Sequence, residues 1–357
     1  MKVLFLPDYT ESNAYQRELA EGLRSEGVTV TAQATGRRRI LPILQAIRTH
    51  GRPDVLHLHW TEPYISGGRT DVSRIKALRT ITELRLLQSA GTPVVWTAHD
   101  LSSHDRPVDP LQVRFNRALA RVSSAVIVHC EAARAELLDA LDLPASVARR
   151  VRVVPHGHYL AAYRNDIGRA EARQRLGVAG EGHVFAFIGW VRPYKGVREL
   201  ITAFRELPGD GLRLLVAGQP GTDDFAREIT ALAAGDPRVV LTLGFVADDD
   251  LQLYLNAADA IALPYREIFT SGSVLLAMSF GRALIAPRRG CIGETLDEAG
   301  AILYDGDDVN GLPDALRRAL TSDLPAMGSH NGARAQEFDW GRIAASTLEV
   351  YRSTRRR

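Results

Sequence analysis

Two cations in one short loop, Arg192 and Lys195, are the side chains best suited to bind an anion. The loop follows an apolar segment typical of a buried strand, precedes a helical pattern, and has Gly189 and Gly196 at its ends. Charges held where a strand passes into a helix can bind a diphosphate together with the helix amides. Only three of the 44 basic residues are lysines, which favours a specific need for a compact charge at Lys195. We therefore predict a diphosphate site here; the alternative is a solvated surface loop.

A second anion-binding pattern begins at Thr270, where small residues open an apolar helical pattern. The first amides of a helix lack partners within the helix and attract negative charge. We expect this segment to hold the diphosphate from the side opposite Lys195. Its members are Thr270, Ser271, Gly272 and Ser273.

Polar and aromatic side chains follow the strands predicted in the first half of the chain. His99 directly follows one strand, His104 comes shortly after it, and His59 and Trp60 follow another strand. A histidine at the carboxyl end of a parallel strand can hydrogen-bond a sugar hydroxyl or exchange a proton near neutral pH. We predict that these side chains bind a polar acceptor; the alternative for His99 is a wall histidine satisfied by Asp100.

The loop after the first strand contributes Asn13 and Tyr15 as further acceptor-binding candidates. The alternative for Asn13 is a helix N-cap. Period-two alternation places His57 and His59 on one face of a strand, but the sequence supplies no third metal ligand. The aspartates at 248–250 are better explained as a helix start than as a metal site. We expect neither a metal nor a cofactor.

Composition excludes several classes of protein. The chain has 357 residues, of which 45% are apolar and 24% charged, as expected for a globular protein of about two domains. No apolar run approaches the ~20 residues that span a bilayer, and the N-terminus turns acidic too soon for a signal peptide, so we expect a cytoplasmic location.

Charge is unevenly distributed along the chain. Residues 1–165 carry 22 Lys/Arg against 16 Asp/Glu, whereas residues 166–357 carry 22 against 26. The basic clusters at 37–39 and 69–85 indicate either a solvated face or peripheral contact with the anionic inner face of a membrane. Nucleic acid is not expected as a partner, because no recognition motif accompanies the charge.

Short β-rich segments alternate with helical patterns along the whole chain, which predicts parallel sheets with crossover helices. Strands are predicted at 2–6, 28–33, 55–59, 93–98, 124–129 and 151–154, then at 184–188, 213–217, 239–243, 258–263, 283–286 and 301–304. We predict an α/β domain over 1–160, a second over 161–340, and a last helix at 341–353 that packs back on the first. Doubly wound domains bind ligands at the carboxyl ends of their strands.

Taken together, these segments resemble the GT-B-fold glycosyltransferases of the retaining family 4 type (glycosyl transferases group 1), over nearly the whole chain. The segments that carry the resemblance are His99-Asp100, Pro155-His156-Gly157, Gly189 to Gly196, Gly244-Phe245-Val246, Ala257-Ala258-Asp259, Ser271 to Gly281 and Phe338-Asp339-Trp340. The resemblance implies two Rossmann-like domains that face a central cleft. The first would bind the acceptor and the second a nucleotide-sugar donor, without a metal.

The resemblance also implies roles for single residues. Arg192 and Lys195 match the pair that holds the diphosphate, and His99 matches the cleft histidine that contacts the transferred sugar. The base would be held by the backbone near Phe245 and Val246. Independently of the family, Gly218 and Glu294 lie in glycine-containing turns after strands, where the backbone can approach a donor closely.

The chain departs from the family pattern at three places. The family's pair of glutamates falls on Ile268 and Leu276, so Glu267 is the remaining carboxylate that could reach the sugar, and ribose binding is unassigned. Trp190 stands where an arginine is usual, and Arg192 is expected to substitute for it. Asn13 stands where many relatives have paired glycines.

We therefore predict transfer of a hexose from a UDP- or GDP-sugar to the hydroxyl of a sugar, lipid-linked or small-molecule acceptor, in glycan, glycolipid or glycosylated-metabolite synthesis. Retention of configuration is implied by the resemblance alone. Two alternatives stay open. One is a nucleotide-sugar epimerase or hydrolase on the same scaffold, and the other is a non-catalytic protein that binds sugar nucleotides.

Overall fold

The computed structural model describes residues 1–34, 40–66, 70–101 and 109–355. The chain forms two compact units, Met1–Gly157 with Phe338–Arg357, and His158–Glu337. Each unit contains one six-stranded sheet in which every pairing is parallel. No helix in the described ranges combines the length and apolarity needed to cross a bilayer.

The sheet of the first unit has the strand order β2-β1-β3-β4-β5-β6. Its strands are β1 (Lys2–Leu6), β2 (Thr29–Ala32), β3 (Val55–Leu58), β4 (Val94–Thr97), β5 (Ala125–Val128) and β6 (Val151–Val153). Its helices are α1 (Ala14–Ser25), α2 (Pro42–His50), α3 (Glu62–Ile65), α4 (Thr70–Ser89), α5 (Pro110–Val122), α6 (Glu131–Ala140), α7 (Ala145–Ala148) and α16 (Trp340–Arg355). Every residue of β3, β4 and β5 is buried, as expected for parallel strands covered on both faces.

The last helix, α16, belongs to the first unit and packs on α1. A Cβ atom at Gly22 would lie 2.9 Å from the Ala344 Cβ, so a glycine lets the two helices approach closely. A Cβ atom at Gly157 would meet the indole ring of Trp340. The Pro-His-Gly turn after β6 and the start of α16 are therefore packed as one piece.

The sheet of the second unit has the strand order β12-β11-β10-β7-β8-β9. Its strands are β7 (Val184–Ile188), β8 (Arg213–Gly218), β9 (Val239–Leu243), β10 (Ala260–Ala262), β11 (Ala283–Pro287) and β12 (Ala301–Tyr304). Its helices are α8 (Arg169–Arg175), α9 (Val197–Arg205), α10 (Asp223–Ala233), α11 (Leu251–Ala257), α12 (Gly272–Ser279), α13 (Ile292–Thr295), α14 (Gly311–Ala319) and α15 (Leu324–Ala335). The aspartates at 248–250 form a 3₁₀ turn that leads into α11.

Candidate active site

The second unit has a switch point at β7, which lies between β10 and β8. At a switch point, the chain continues to one side of the strand in one half of the sheet and to the other side in the other half. This leaves a crevice at the carboxyl ends of the strands, and open α/β sheets bind their ligands there. The loop after β7 carries Arg192 and Lys195, and the segment after β10 leads to Ser273. The two predicted anion-binding segments therefore border one crevice.

Lys195 and Ser273 face the same space beside Gly189. A Cβ atom at Gly189 would lie 3.9 Å from both Lys195 Nζ and Ser273 Oγ. Gly189 also has a φ of 130°, which residues with a side chain rarely adopt. The bare backbone at this position leaves room for a ligand group to reach the ammonium and the hydroxyl together.

Tyr265 orients the Lys195 side chain. The Nζ atom lies 4.7 Å from the centre of the Tyr265 ring and 3.4 Å from its hydroxyl oxygen. Lys195 ends a 3₁₀ turn that closes at Gly196, whose φ is 71°. A Cβ atom at Gly196 would overlap the Pro264 carbonyl oxygen, so glycine is required where the β7 loop packs on the β10 loop. This packing fixes the lysine relative to the start of α12.

Arg192 is held by the neighbouring indole. Its Cζ lies 4.6 Å from the centre of the Trp190 ring, and its stem passes over Gly221, where a Cβ atom would come within 3.2 Å of Arg192 Cγ. A guanidinium stacked on an aromatic face is fixed in orientation and keeps its charge. Trp190 therefore orients the Arg192 side chain.

The start of α12 presents backbone donors next to Lys195. Ser271 is the N-cap residue, with an extended backbone at φ −141°, and its side chain caps no amide. The first amides of a helix have no partner within the helix. Thr270, Ser271, Gly272 and Ser273 are all half-buried, so their backbone is within reach of a ligand.

The turns after β8 and β9 adjoin the same strand end. Gly218 has a φ of 148°, and a Cβ atom there would overlap the carbonyl oxygen of Gly189. The Gly244 amide donates to the Gly218 carbonyl oxygen at 3.0 Å, which places Phe245 and Val246 beside β8. The Phe245 side chain is 83% exposed and offers an aromatic face on which a base could stack.

Glu267, predicted to reach the sugar, and Glu294, predicted for the donor site, are both exposed to solvent. Glu267 is exposed in the bend after β10, and Glu294 is exposed in the short helix α13. The amide of Cys291 donates to the Phe269 carbonyl oxygen at 3.3 Å, so the start of α13 lies against the segment that precedes Thr270.

In the first unit, His99, His59 and Trp60 come together after the adjacent strands β3 and β4. The rings of Trp60 and His99 stack with their centroids 4.5 Å apart and their planes 10° apart. His59 Nδ1 lies 3.4 Å from His99 Nε2. The fourth predicted acceptor residue of this group, His104, lies outside the described residues.

Tyr15 is only 4% exposed and packs against His59 and His99. Its ring contacts four histidines at centroid distances of 4.8 to 6.1 Å; these are His59, His99, His129 and His156. Asn13 caps α1, because its Oδ1 accepts the Gln16 amide at 3.2 Å. The structure thus gives Tyr15 a packing role and Asn13 a capping role, beside the acceptor contacts predicted for them.

Three further histidines, at positions 57, 129 and 156, complete this cluster and were not assigned to the site by sequence analysis. His57 is fully buried, with its Nδ1 2.6 Å from the Tyr351 hydroxyl and its Nε2 2.7 Å from Thr97 Oγ1. His129 donates from Nδ1 to the Val154 carbonyl oxygen at 2.9 Å. The sequence signal that could have identified these three residues is a histidine at or just after the carboxyl end of a predicted strand.

Burial keeps the cluster uncharged at neutral pH. It lowers the pKa of His57 to about 3 and the pKa of His129 to about 4. Burial, followed by the neighbouring histidines, also lowers the pKa of His59 and His99 well below the usual range. A neutral imidazole has one N–H donor and one acceptor nitrogen. The cluster is therefore suited to hydrogen-bonding hydroxyl groups.

Two ring nitrogens of the cluster have no hydrogen-bond partner among the described residues, His59 Nε2 and His129 Nε2. Buried polar atoms are usually satisfied by protein, water or a ligand. No set of three or more His, Cys, Asp or Glu side chains in the described ranges has the arrangement to hold a metal ion.

Two family models match the chain. The model for glycosyl transferases group 1 matches residues 182–322, and the model for glycosyltransferase family 4 matches residues 36–161. The first match covers β7 to α14, including Lys195 and Ser273, and the second begins just before α2 and ends after β6.

Curated relatives cover most of the chain. A D-inositol 3-phosphate glycosyltransferase of Salinispora arenicola (strain CNS-205) is 30% identical over 339 residues, which span 86% of this chain and 70% of that protein. A GDP-mannose:glycolipid 4-beta-D-mannosyltransferase of Xanthomonas campestris pv. campestris is 28% identical over 317 residues, which span 84% of this chain and 80% of that protein.

Solved structures show the same fold. Sucrose-phosphate synthase from Thermosynechococcus elongatus matches with a TM-score of 0.78 at 19% identity, covering 99% of this chain and 98% of that one. Anabaena Alr3699/HepE in complex with UDP and glucose matches with a TM-score of 0.75 at 20% identity, covering 99% of this chain and 100% of that one. With its two parallel sheets and both family models matched, the chain belongs to the GT-B glycosyltransferases of the group 1, family 4 type.

Proposed function

We propose that this protein is a hexosyltransferase that moves a hexose from a UDP- or GDP-sugar to an acceptor hydroxyl. The observation that carries the proposal is the position of Lys195 and Ser273 beside Gly189, at the switch point of the second unit. An ammonium, a hydroxyl and the first amides of α12 around one open space fit a diphosphate. The names of the relatives, which include a GDP-mannose:glycolipid 4-beta-D-mannosyltransferase and a D-inositol 3-phosphate glycosyltransferase, support a sugar-transfer reaction.

The proposed reaction breaks the bond between the anomeric carbon and the diphosphate oxygen. Negative charge grows on the departing diphosphate, and Lys195, Arg192 and the α12 amides would stabilise it. Groups preorganised around a developing charge supply the largest part of many enzymatic rate enhancements. The acceptor oxygen bonds to the anomeric carbon, and its proton passes to a phosphate oxygen of the leaving group.

For the acceptor we assign the group around Trp60 and His99. An indole face binds the apolar face of a sugar ring, and neutral imidazoles can donate to or accept from its hydroxyls. The Nε2 atom of His59 in this group is buried and has no hydrogen-bond partner among the described residues. A lipid-linked sugar is the acceptor class we favour, since one relative acts on a glycolipid.

The proposal has three further parts. The reaction retains the configuration of the sugar and needs no metal, and the protein is cytoplasmic with peripheral contact to the inner face of a membrane. Retention is supported by family resemblance, and metal independence by the two cations that serve the diphosphate. A cytoplasmic location fits the nucleotide sugars, which are the proposed donors.

The experiment is a turnover assay of the full chain with UDP- and GDP-sugars, with and without added sugar and glycolipid acceptors, in the presence of EDTA. We expect nucleoside diphosphate release that depends on an acceptor, and a product whose anomeric configuration by NMR equals that of the donor. Donor conversion that needs no acceptor would indicate the epimerase or hydrolase alternative. A product of opposite configuration would overturn retention, and loss of turnover in EDTA would overturn metal independence.

A further inference from the structure

The outward face of α4 is apolar, although this helix already buries an apolar face against its own unit. The inward side contains Ala77, Ile81, Leu84 and Leu87, which are buried. The outward side exposes Val72, Ile75, Leu78 and Leu86, at 39%, 68%, 69% and 55%. Their spacing places them along one stripe of the helix. An exposed apolar stripe of this kind marks a contact with a partner or a membrane.

Arginines flank the apolar stripe on one side. Arg74 and Arg85 are exposed on α4, and a groove beside them is lined by Arg85 together with three arginines of α5: Arg114, Arg117 and Arg121. In the described part of the chain, no carboxylate forms an ion pair with any of the four groove arginines. The sequence of α5 contains no acidic residue.

Helix α4 contains two acidic residues, of which Asp71 is exposed in the first turn and only Glu83 is withdrawn from the surface. Glu83 is buried, where its Oε1 accepts the amides of Ile43 and Leu44 at 3.0 Å. These bonds hold the start of α2 against α4, and Ile40 and Leu41, which precede α2, are 79% and 40% exposed. The surface therefore combines apolar side chains with arginines that form no ion pair among the described residues, and it extends over the segment before α2 and over parts of α4 and α5.

The surface begins at the substrate side of the first unit. In a parallel sheet, a helix that joins two strands runs from the carboxyl ends back to the amino ends. The first turns of α4, with Val72 and Ile75, are thus near the edge where Trp60 and His59 follow β3. Thr80 Oγ1 donates to the Tyr64 carbonyl oxygen at 3.3 Å, which ties α4 to the short helix after Trp60.

We propose that the outward stripe of α4, with the α5 arginines beside it, docks on the surface of an anionic lipid bilayer. Apolar side chains would enter the interface while arginines contact lipid phosphates, the combination that holds interfacial helices on membranes. This membrane contact deepens the proposed function, because a protein bound in this way would meet a lipid-linked acceptor at the edge of the sheet where Trp60 follows β3. The charge favours an anionic bilayer over a second copy of this chain, whose identical surface would repel it.

The test is sedimentation of the full chain with vesicles, without donor or acceptor. We expect binding to vesicles that contain phosphatidylglycerol, weak binding to pure phosphatidylcholine, and a fall in binding as salt shortens the Debye length from about 30 Å to about 3 Å. The variant I75S/L78S should lower the partition coefficient at least about tenfold, and R85S/R121S about tenfold at low salt. Circular dichroism establishes that each variant is folded.

Matched controls lie on the second unit. V309S removes an apolar side chain that is 88% exposed, and R175S/R227S removes two exposed arginines of α8 and α10, so both should bind vesicles like wild type. The proposal is overturned if wild type fails to bind anionic vesicles at low salt, or if I75S/L78S and R85S/R121S both bind as well as wild type. If only the variant R37S/R38S/R39S lost vesicle binding, the membrane contact would be assigned to residues 37–39 and not to α4. A dimer in solution that I75S/L78S converts to a monomer would assign the stripe to a second copy.

These outcomes are independent of catalysis. Vesicle binding can fail while acceptor-dependent turnover of a water-soluble acceptor persists, which would overturn the membrane surface alone. Conversely, absent turnover with intact vesicle binding would overturn the proposed function alone.

Discussion

Lys195 Nζ and Ser273 Oγ each lie 3.9 Å from the point that a Cβ atom on Gly189 would occupy. The lysine comes from the loop after β7 and the serine from the first turn of α12, which follows β10. Because β7 and β10 are neighbours at the switch point of the sheet, two segments far apart in sequence meet over one glycine. This meeting is the structural basis for the proposed diphosphate site.

Replacement of Lys195 by alanine should lower kcat by roughly 10²–10³, because one donor to the departing charge is lost. The free energy of unfolding should change little, since the side chain packs on Tyr265 at a half-exposed position. Steady-state turnover and urea unfolding of the variant provide the two measurements. Lys2→Ala, which removes one of the two other lysines of this chain, is the matched control. Wild-type kcat in Lys195→Ala would exclude the residue from the site.

Gly218→Ala should damage the donor site through the backbone. A Cβ atom there overlaps the Gly189 carbonyl oxygen, so β7 and β8 must shift apart at their ends. We expect a loss of about 1–3 kcal/mol in the free energy of unfolding, and weaker donor binding. Gly168→Ala is the control, because a Cβ atom there meets nothing within 4 Å. Unchanged stability and affinity in Gly218→Ala would show that the close approach is not required.

Trp60→Ala should raise the KM for a sugar acceptor about two- to tenfold, the equivalent of one lost aromatic contact of about 0.5–1.5 kcal/mol. Donor affinity should be unchanged, because Trp60 belongs to the first unit. Trp60→Phe keeps an aromatic face and should recover most of the loss. An acceptor KM that is unaffected in the alanine variant would contradict the acceptor role.

Acid should destabilise the first unit through its buried histidines. The pKa of His57 is about 3 in the folded protein, against about 6.5 for an unperturbed histidine, so the unfolded chain binds more protons between these values. The stability contributed by neutral His57 is therefore complete above about pH 6.5 and falls by about 1.4 kcal/mol per pH unit towards pH 3. Urea unfolding between pH 7.5 and 4.5 should give a shallower acid slope for His57→Gln than for wild type. Equal slopes would show that His57 is not buried uncharged.

The strands and the start of α12 were predictable because buried parallel strands form continuous apolar runs and helix starts have a local pattern. The strands at β1, β7, β9 and β12 have the predicted ends, whereas 258–263 shortens to Ala260–Ala262. Just before β10, the carboxylate of Asp259 accepts the Val184 amide at 2.8 Å and binds Arg173 at 2.7 Å.

The histidine cluster could not be predicted as a unit. His57, His99 and His129 are separated by tens of residues and meet only because β3, β4 and β5 are neighbours in the sheet. Strand order depends on long-range packing, which a local pattern does not encode. The same holds for Tyr351, whose hydroxyl reaches His57 from the last helix.

The most direct test of the donor site is a double-mutant cycle on donor affinity, measured by calorimetry with the UDP- or GDP-sugar that wild type binds best. Lys195→Ala and Ser273→Ala should each weaken binding, and the double variant should lose less than the sum of the two, with a coupling of about 0.5–3 kcal/mol. Such coupling is expected if both side chains hold one phosphate group. Wild-type affinity in both single variants would contradict the account, as would a failure of every UDP- and GDP-sugar to bind.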